Sequence, residues 1–210
     1  MKKMILLAAM AVLGLQAQAQ IVSSRSAMTT RQVVEQKSYT GWSTFGLEYL
    51  PSNFKYDGHS ESFSGFAVNY TQAISITQSA PLFIVWGVGA QWSTWSEDDD
   101  KINFVSMKVP INLVYDFQIP GTNINLDPYV GINLRGNVWG ELKNDYYDDT
   151  YNLFDSDEGD WNRFQIGGHL GVKARFNNSF FVGIGYGFDF NEIDEDTKIN
   201  ELSLSLGLAF

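Results

Sequence analysis

The sequence predicts an all-β protein, an eight-stranded antiparallel up-and-down transmembrane β-barrel. Three observations carry that expectation. From Gly41 onward, apolar residues recur at every second position, the period of a strand with two unlike faces. The alternating segments run to about 9 to 13 residues, which suits a tilted crossing of a bilayer better than a globular strand of roughly 5 or 6. Aromatic residues are abundant, with 15 Phe, 10 Tyr and 6 Trp in 210 residues. Many fall near segment ends, where the girdles of a membrane barrel lie: Trp42, Tyr49, Trp92, Trp95, Tyr115, Phe117, Trp139, Trp161, Phe176 and Phe210.

The elements follow in order. Lys2 and Lys3 precede an apolar run, Met4 to Leu15, and Ala17-Gln18-Ala19 fits a small-x-small cleavage site. Residues 1–19 therefore read as a signal peptide, too short in its apolar part to span a bilayer as a helix, which needs roughly 20 residues. Residues 20–40 are polar and read as an exposed periplasmic leader; residues 41–210 read as the barrel. The first strand offers Phe45, Leu47 and Tyr49, and the second Phe66, Val68, Tyr70 and Ile74. The third offers Leu82, Ile84, Trp86, Val88, Ala90 and Trp92, and the fourth Val105 to Phe117 at every second place. The fifth offers Val130, Ile132, Leu134 and Val138, and the sixth Phe164, Ile166, Leu170, Val172 and Phe176. The seventh runs from Val182 to Phe190 and the eighth from Leu202 to Phe210, both with strict alternation.

The opposite face is small or polar and rich in Gly, as at Gly183, Gly185 and Gly187. A solvent-facing sheet would favour Thr, Lys and Glu there. A narrow barrel interior needs Gly beside long side chains. A soluble sandwich exported to the periplasm is the competing architecture. The glycines cradle no phosphate, because no helix follows them.

Composition narrows the function. The absence of Cys excludes disulfides, thiolate zinc sites and a lipid-modified Cys. Asp and Glu number 24 against 14 Lys and Arg, a net charge of -10, and loss of Lys2 and Lys3 takes it to -12. That balance argues against nucleic acid as a partner. Expected outer loops are 50–62, 96–101, 140–161 and 191–198; expected inner turns are 75–80, 118–123 and 177–179. Sixteen of the 24 acids fall in the last three outer loops.

The residues now support a resemblance. Met107-Lys108-Val109-Pro110-Ile111-Asn112-Leu113-Val114-Tyr115, Asp127-Pro128-Tyr129-Val130-Gly131 and the closing Leu202 to Phe210 resemble segments of small outer-membrane β-barrel proteins of the porin family, with barrels like OmpX and OmpA. The resemblance covers about residues 41 to 210. It implies the bacterial outer membrane after cleavage near Ala19, with outer-membrane lipid and the barrel assembly machinery as partners. It makes Phe210 the assembly signal, although Ser205 stands where that signal commonly has Gly. It implies no reaction, because the fold carries adhesins, defence proteins, narrow pores and a few enzymes alike.

Candidate site residues divide into three sets. Glu48, Asp116, Asp189 and Glu201 face Lys108, Arg135, Arg163, Lys173 and Arg175 on the interior. The expected outcome is a salt-bridged plug, since unpaired interior charge is costly; a narrow cation-preferring pore for small solutes is the alternative. His169, Ser203, Asp189 and Glu201 form the second set. Pairing Gly187 with both His169 and Ser203 would gather residue types used in acyl chemistry, a lipid-modifying hydrolase or acyltransferase. The third set is on the loops: Asp98, Asp99, Asp148, Asp149, Tyr147, Tyr151, Asp157 and Trp161, where acids and aromatics interleave as in recognition surfaces. These loops invite an extracellular ligand or loosely held divalent cations. Asp155 to Asp160 does not match an EF-hand, because Gly159 is fifth and Ile166 twelfth. No cofactor or dedicated metal site is expected, and His59 reads as exposed. The favoured function is non-enzymatic: an outer-membrane barrel with a structural or surface-interaction role through its acidic loops.

Overall fold

The computed structural model describes residues 39–56, 59–77, 79–144, 146–147, 149–155 and 161–210. The expected signal peptide, the leader up to residue 38, Asp148 and Asp157 lie outside the described residues. Ten strand segments follow: β1 (Ser43–Tyr56), β2 (His59–Ser75), β3 (Leu82–Glu97), β4 (Asp100–Tyr115), β5 (Phe117–Gln118), β6 (Ile124–Asn144), β7 (Asp149–Asn152), β8 (Phe164–Phe176), β9 (Phe180–Asp189) and β10 (Lys198–Ala209). All pairings are antiparallel. β5 continues β4 past Asp116, and β7 is a short addition to β6, so eight spans remain. The β1–β10 and β4–β6 pairings close them into one ring. No described residue is helical.

The apolar face points outward all round the ring. Leu206 is 59% exposed, Val130 58% and Phe66 55%. A sandwich would bury this face, so the soluble alternative is overturned; lipid is the solvent that accepts such a belt. The strand length agrees. From Val105 to Tyr115, ten steps at ~3.3 Å and a tilt of about 45° rise roughly 23 Å, close to the apolar band of a membrane barrel.

Both chain ends of the ring meet at one rim. Ser43 N donates to Phe210 O at 2.7 Å, and Phe210 N donates to Ser43 O at 3.0 Å. The connections at this rim are short and sit where the turn residues predict. Asn177 and Asn178 have φ of 50° and 51°, the left-handed pair that a primed hairpin turn needs.

The opposite rim differs from expectation. Strands run on well past the expected loop boundaries: β1 reaches Tyr56, and β3 and β4 meet at Asp98-Asp99, with Asp98 at φ 48°. Alternation persists there but its polarity inverts. Leu50 and Phe54 point inward and are buried, while Lys55 points outward. Above the membrane, water replaces lipid outside the barrel, so the inner face becomes the place to bury carbon. A bulge between Val105 and Ser106 shifts the register, leaving both Val138 and Trp139 outward. Three of the expected girdle tryptophans are therefore internal. Trp95 and Trp161 join the buried cluster at this rim, and Trp42 packs inside the other. Trp92 and Trp139 do lie on the outer belt.

Inward glycines make room for two rings in the lumen. A Cβ at Gly185 or Gly171 would meet the Tyr129 hydroxyl, and one at Gly46 or Gly207 would meet the Phe181 ring. Gly185→Val is expected to cost about 1–3 kcal/mol through this overlap. Urea unfolding of the refolded barrel checks it, and an unchanged midpoint would refute the packing argument.

Candidate functional site

The lumen is built by the inward residues of all eight spans. Its centre is an ion network. Arg135 Nη2 donates to both oxygens of Asp189, at 2.5 and 2.7 Å, and Nη1 donates to Glu201 Oε1 at 2.5 Å. Lys108 Nζ donates to Glu201 Oε2 at 2.9 Å, and Gln91 Nε2 donates to Glu201 Oε1 at 3.2 Å. Two cations thus neutralise two acids brought from four different strands. Such charges are tolerated away from water only when mutually paired and hydrogen-bonded.

A second network lies near the short-turn rim. Arg175 binds Asp127 through Nε at 3.0 Å and Nη2 at 3.3 Å, and reaches Asp116 at 3.2 Å. Asn125 donates to Asp116 as well. The Arg175 guanidinium lies 3.7 Å above the Trp42 ring, and Trp42 meets Phe83 edge-on at 4.6 Å. Phe83 packs with Ala73, Val85 and Val114, which narrows this end with carbon.

The long-hairpin end is closed by a larger apolar cluster. Phe54, Phe63, Phe104, Leu153, Phe154, Ile193 and Ile199 are buried together, with Phe54 and Phe63 stacked at 4.2 Å. Phe104, Ile193 and Ile199 are 0% exposed. The chain after β7 supplies Leu153 and Phe154, which fill the space over Gly140. Arg163 donates to the Phe154 carbonyl at 3.0 Å and lies over its ring at 5.3 Å.

Between the two closures is a polar cavity of about 70 Å³. That volume holds about five water molecules, at roughly 10–15 Å³ each. Glu48, Asn69, Asn112, Asn133, His169 and Lys173 line it. Side-chain atoms of Asn69, Asn112, Asn133 and His169 have no protein partner among the described residues, so they are the groups that such waters would bond. Lys173 instead faces the rings of Phe181 and Tyr129, at 5.0 and 5.9 Å.

Measured against the expected site residues, the interior set changes by one exchange. Glu48, Lys108, Asp116, Arg135, Lys173, Arg175, Asp189 and Glu201 face the lumen. Arg163 does not, because β8 begins after it and its side chain turns to the outer cluster. Asp127 takes its place. Stepping back by twos from Gly131 reaches Asp127, so the sequence did contain the signal.

The acyl-chemistry set is not assembled. His169 does pair with Gly187, but Gly187 pairs with Glu201, and Ser203 pairs with Gly185. The slip of two residues arises in the β9–β10 connection. That connection closes its own small turn between Asp194 and Thr197 and draws Ile193 into the apolar cluster. Asp189 and Glu201 are both committed to Arg135, and neither orients His169. His169 instead meets Tyr129 edge-on at 5.6 Å.

Of the loop set, Asp98, Asp99, Tyr147, Asp149 and Tyr151 are exposed. Trp161 is not a free contact: it packs on Phe54, Phe104 and Phe154 at 5.8, 5.9 and 6.2 Å. Among the described residues, no three acidic or histidine side chains converge as a metal site would require.

Residues 14–195 match the family model described as the outer membrane protein beta-barrel domain. The chain belongs to this family. Two solved structures share the fold. Ail, the attachment invasion locus protein of Yersinia pestis, solved in complex with the heparin analogue sucrose octasulfate, is 16% identical, with 81% of this chain and 99% of that one covered and a TM-score of 0.51. Neisserial surface protein A is 14% identical, with 80% and 97% covered and a TM-score of 0.51. The outer membrane enzyme PagL reaches 15% identity over 77% and 97%, with a TM-score of 0.49, and lends no argument about chemistry. No curated protein matched the sequence. In family barrels the short turns face the periplasm and the longer loops the exterior, which orients the two rims described above.

The central network gives a direct test. Glu201→Gln leaves Lys108 and Arg135 facing each other with one carboxylate fewer, and about 3–5 kcal/mol of unfolding free energy should be lost. Lys198→Gln removes a partner from a pair at 3.7 Å whose side chains are 43% and 45% exposed, and should cost less than ~1 kcal/mol. Equal losses in denaturant titrations would show that the lumenal network contributes nothing special.

Proposed function

We propose that this protein is a sealed, non-enzymatic outer-membrane barrel that acts structurally and through its exterior surface. The observation that carries the proposal is the double closure of the lumen. Phe104, Ile193 and Ile199 seal one end, Trp42 and Phe83 narrow the other, and the ion pairs between them are mutually satisfied. A solute path needs a continuous polar column, and these side chains interrupt it. An acyl reaction needs its residues gathered at one bond, whereas His169 pairs with Gly187, Ser203 pairs with Gly185, and Asp189 and Glu201 are held by Arg135.

What remains accessible is the outer rim. Tyr146 and Tyr147 are 74% and 71% exposed and meet edge-on at 4.8 Å. Asp98, Asp99 and Asp149 are exposed with them. Rigid aromatics beside charge form contact surfaces, and here they would meet an extracellular ligand or divalent cations. Outer-membrane lipid and the barrel assembly machinery are the other expected partners, the latter through Phe210.

Single-channel recording of the refolded barrel in a planar bilayer with a salt gradient tests the closure. The expected result is a silent barrel. Steady cation-selective steps would overturn the proposal and make the lumenal charges pore residues. Residues 1–19 are proposed to direct export and to be removed. Intact mass of the membrane-extracted protein should then begin at Gln20; a chain retaining Lys2 would sink that reading.

A further inference from the structure

The two closures of the lumen are built differently. At the long-hairpin end the buried residues come from β1, β2, β4, β10 and two connections, so that closure moves only if several hairpins move together. At the short-turn rim Phe83, on β3, is buried and fixed by its strand. Trp42 beside it is on no strand and is only half-buried. It belongs to residues 39–42, the stretch of chain before β1, and Tyr39 packs against the same apolar group.

Three contacts hold Trp42 in the mouth. Its carbonyl accepts from Ala73 N at 2.7 Å. Its ring covers the Arg175 guanidinium at 3.7 Å and meets Phe83 edge-on at 4.6 Å. Such contacts are weak beside the burial of a whole apolar cluster. Hinges are commonly residues at the end of an element, and Gly41 stands at one. A Cβ there would overlap the Ala73 carbonyl, so Gly lets the chain pass close by β2 and turn inward.

Trp42 covers a void. A space of about 30 Å³ lies against Trp42, Asp127 and Arg175. It shares Thr44, Thr71, Asn112, Tyr129, Lys173 and Phe181 with the larger cavity of about 70 Å³, so the two adjoin. The larger cavity reaches Lys108, Arg135 and Glu201, whose ion pairs end it. Its lining is polar throughout this course, with Glu48, Asn112 and Lys173 among its walls.

We propose that Trp42 is a hinged lid at the short-turn rim, and that the lumen beneath it is a one-ended pocket exchanging small polar molecules with the periplasm. The outer closure stays shut when the lid swings out. The sealed barrel thus gains a site without gaining a path through the membrane.

The chain lacks Cys, so single cysteines report cleanly. Ser205→Cys places a thiol in the cavity, and Ser93→Cys, at a position 0% exposed and opposite Phe104, places one beyond the central network. The full-length barrel, refolded in detergent, is treated with methyl methanethiosulfonate and read by mass, with heat-modifiable gel mobility confirming that each variant is folded. Ser205→Cys should react in the folded parent, and about 10- to 30-fold faster when combined with Trp42→Ala. Gly41→Val, which keeps the indole but pushes the chain off β2, should speed the reaction too. Ser93→Cys should stay inert in all of these, and Phe104→Ala should leave the Ser205→Cys rate within about twofold. No reaction of Ser205→Cys in the folded parent would make Trp42 a fixed plug and overturn the lid. An unchanged rate in Trp42→Ala, or an equal gain in Phe104→Ala, would overturn entry at this rim. Channel recording on the same protein keeps the two readings apart: a silent barrel with an inert Ser205→Cys loses the lid and keeps the outer closure.

Discussion

Lipid offers a peptide group no hydrogen-bond partner, and that constraint organises this molecule. Every strand crossing the hydrocarbon must be paired along both edges. The β1–β10 seam is therefore not one contact among many, since without it both strands would present bare backbone to the bilayer. Phe210 carries the seam to its last rung through its backbone bonds with Ser43. Its ring points to lipid, 67% exposed. Closure then dictates the rest: eight spans enclose a lumen too narrow for bulk water, and the side chains forced into it must fit and satisfy one another.

Two solutions to that crowding coexist along the axis. Within the membrane, polar residues fill the lumen and pair across it, with Arg135 and Glu201 as the hub and glycines ceding space to Tyr129 and Phe181. Beyond the outer girdle, the same inward face turns apolar, and Phe54, Phe104 and Ile199 form a core of the water-soluble kind. One strand thus carries two opposite patterns, switched where the outer solvent changes from lipid to water. The apolar core gains from hydrophobic burial, which a lipid-surrounded lumen cannot. It also anchors the protruding hairpins, which would otherwise be marginal two-stranded ribbons.

This switch explains what was legible in the sequence. The alternation of Phe45, Leu47 and Tyr49, and its seven counterparts, read cleanly because lipid and a polar lumen impose a strict contrast. The short turns read cleanly because Asn177 and Asn178 carry their own backbone preference. The strand ends did not, because Leu50 and Phe54 continue the period while inverting its meaning, and the inversion looks like a loop. The interior charges were legible by phase wherever the strand persisted. Arg163 was misplaced only because β8 starts one residue later. The register of β9 against β10 was not legible, since the packing of Ile193 over the mouth sets it, and that contact is remote in sequence from Ser203.

Charge follows the same division and bears on function. The lumen holds four cations against five acids, Glu48, Asp116, Asp127, Asp189 and Glu201, so it contributes little net charge. Among the described residues, eleven acids lie in the three connections of the opposite rim, at 97–100, 141–155 and 192–196. The described part of the periplasmic rim carries almost none in its turns. The rim of the long hairpins is therefore the acidic end of the described barrel. A field of that sign favours cations over anions close to it and fades over about 10 Å at ordinary ionic strength.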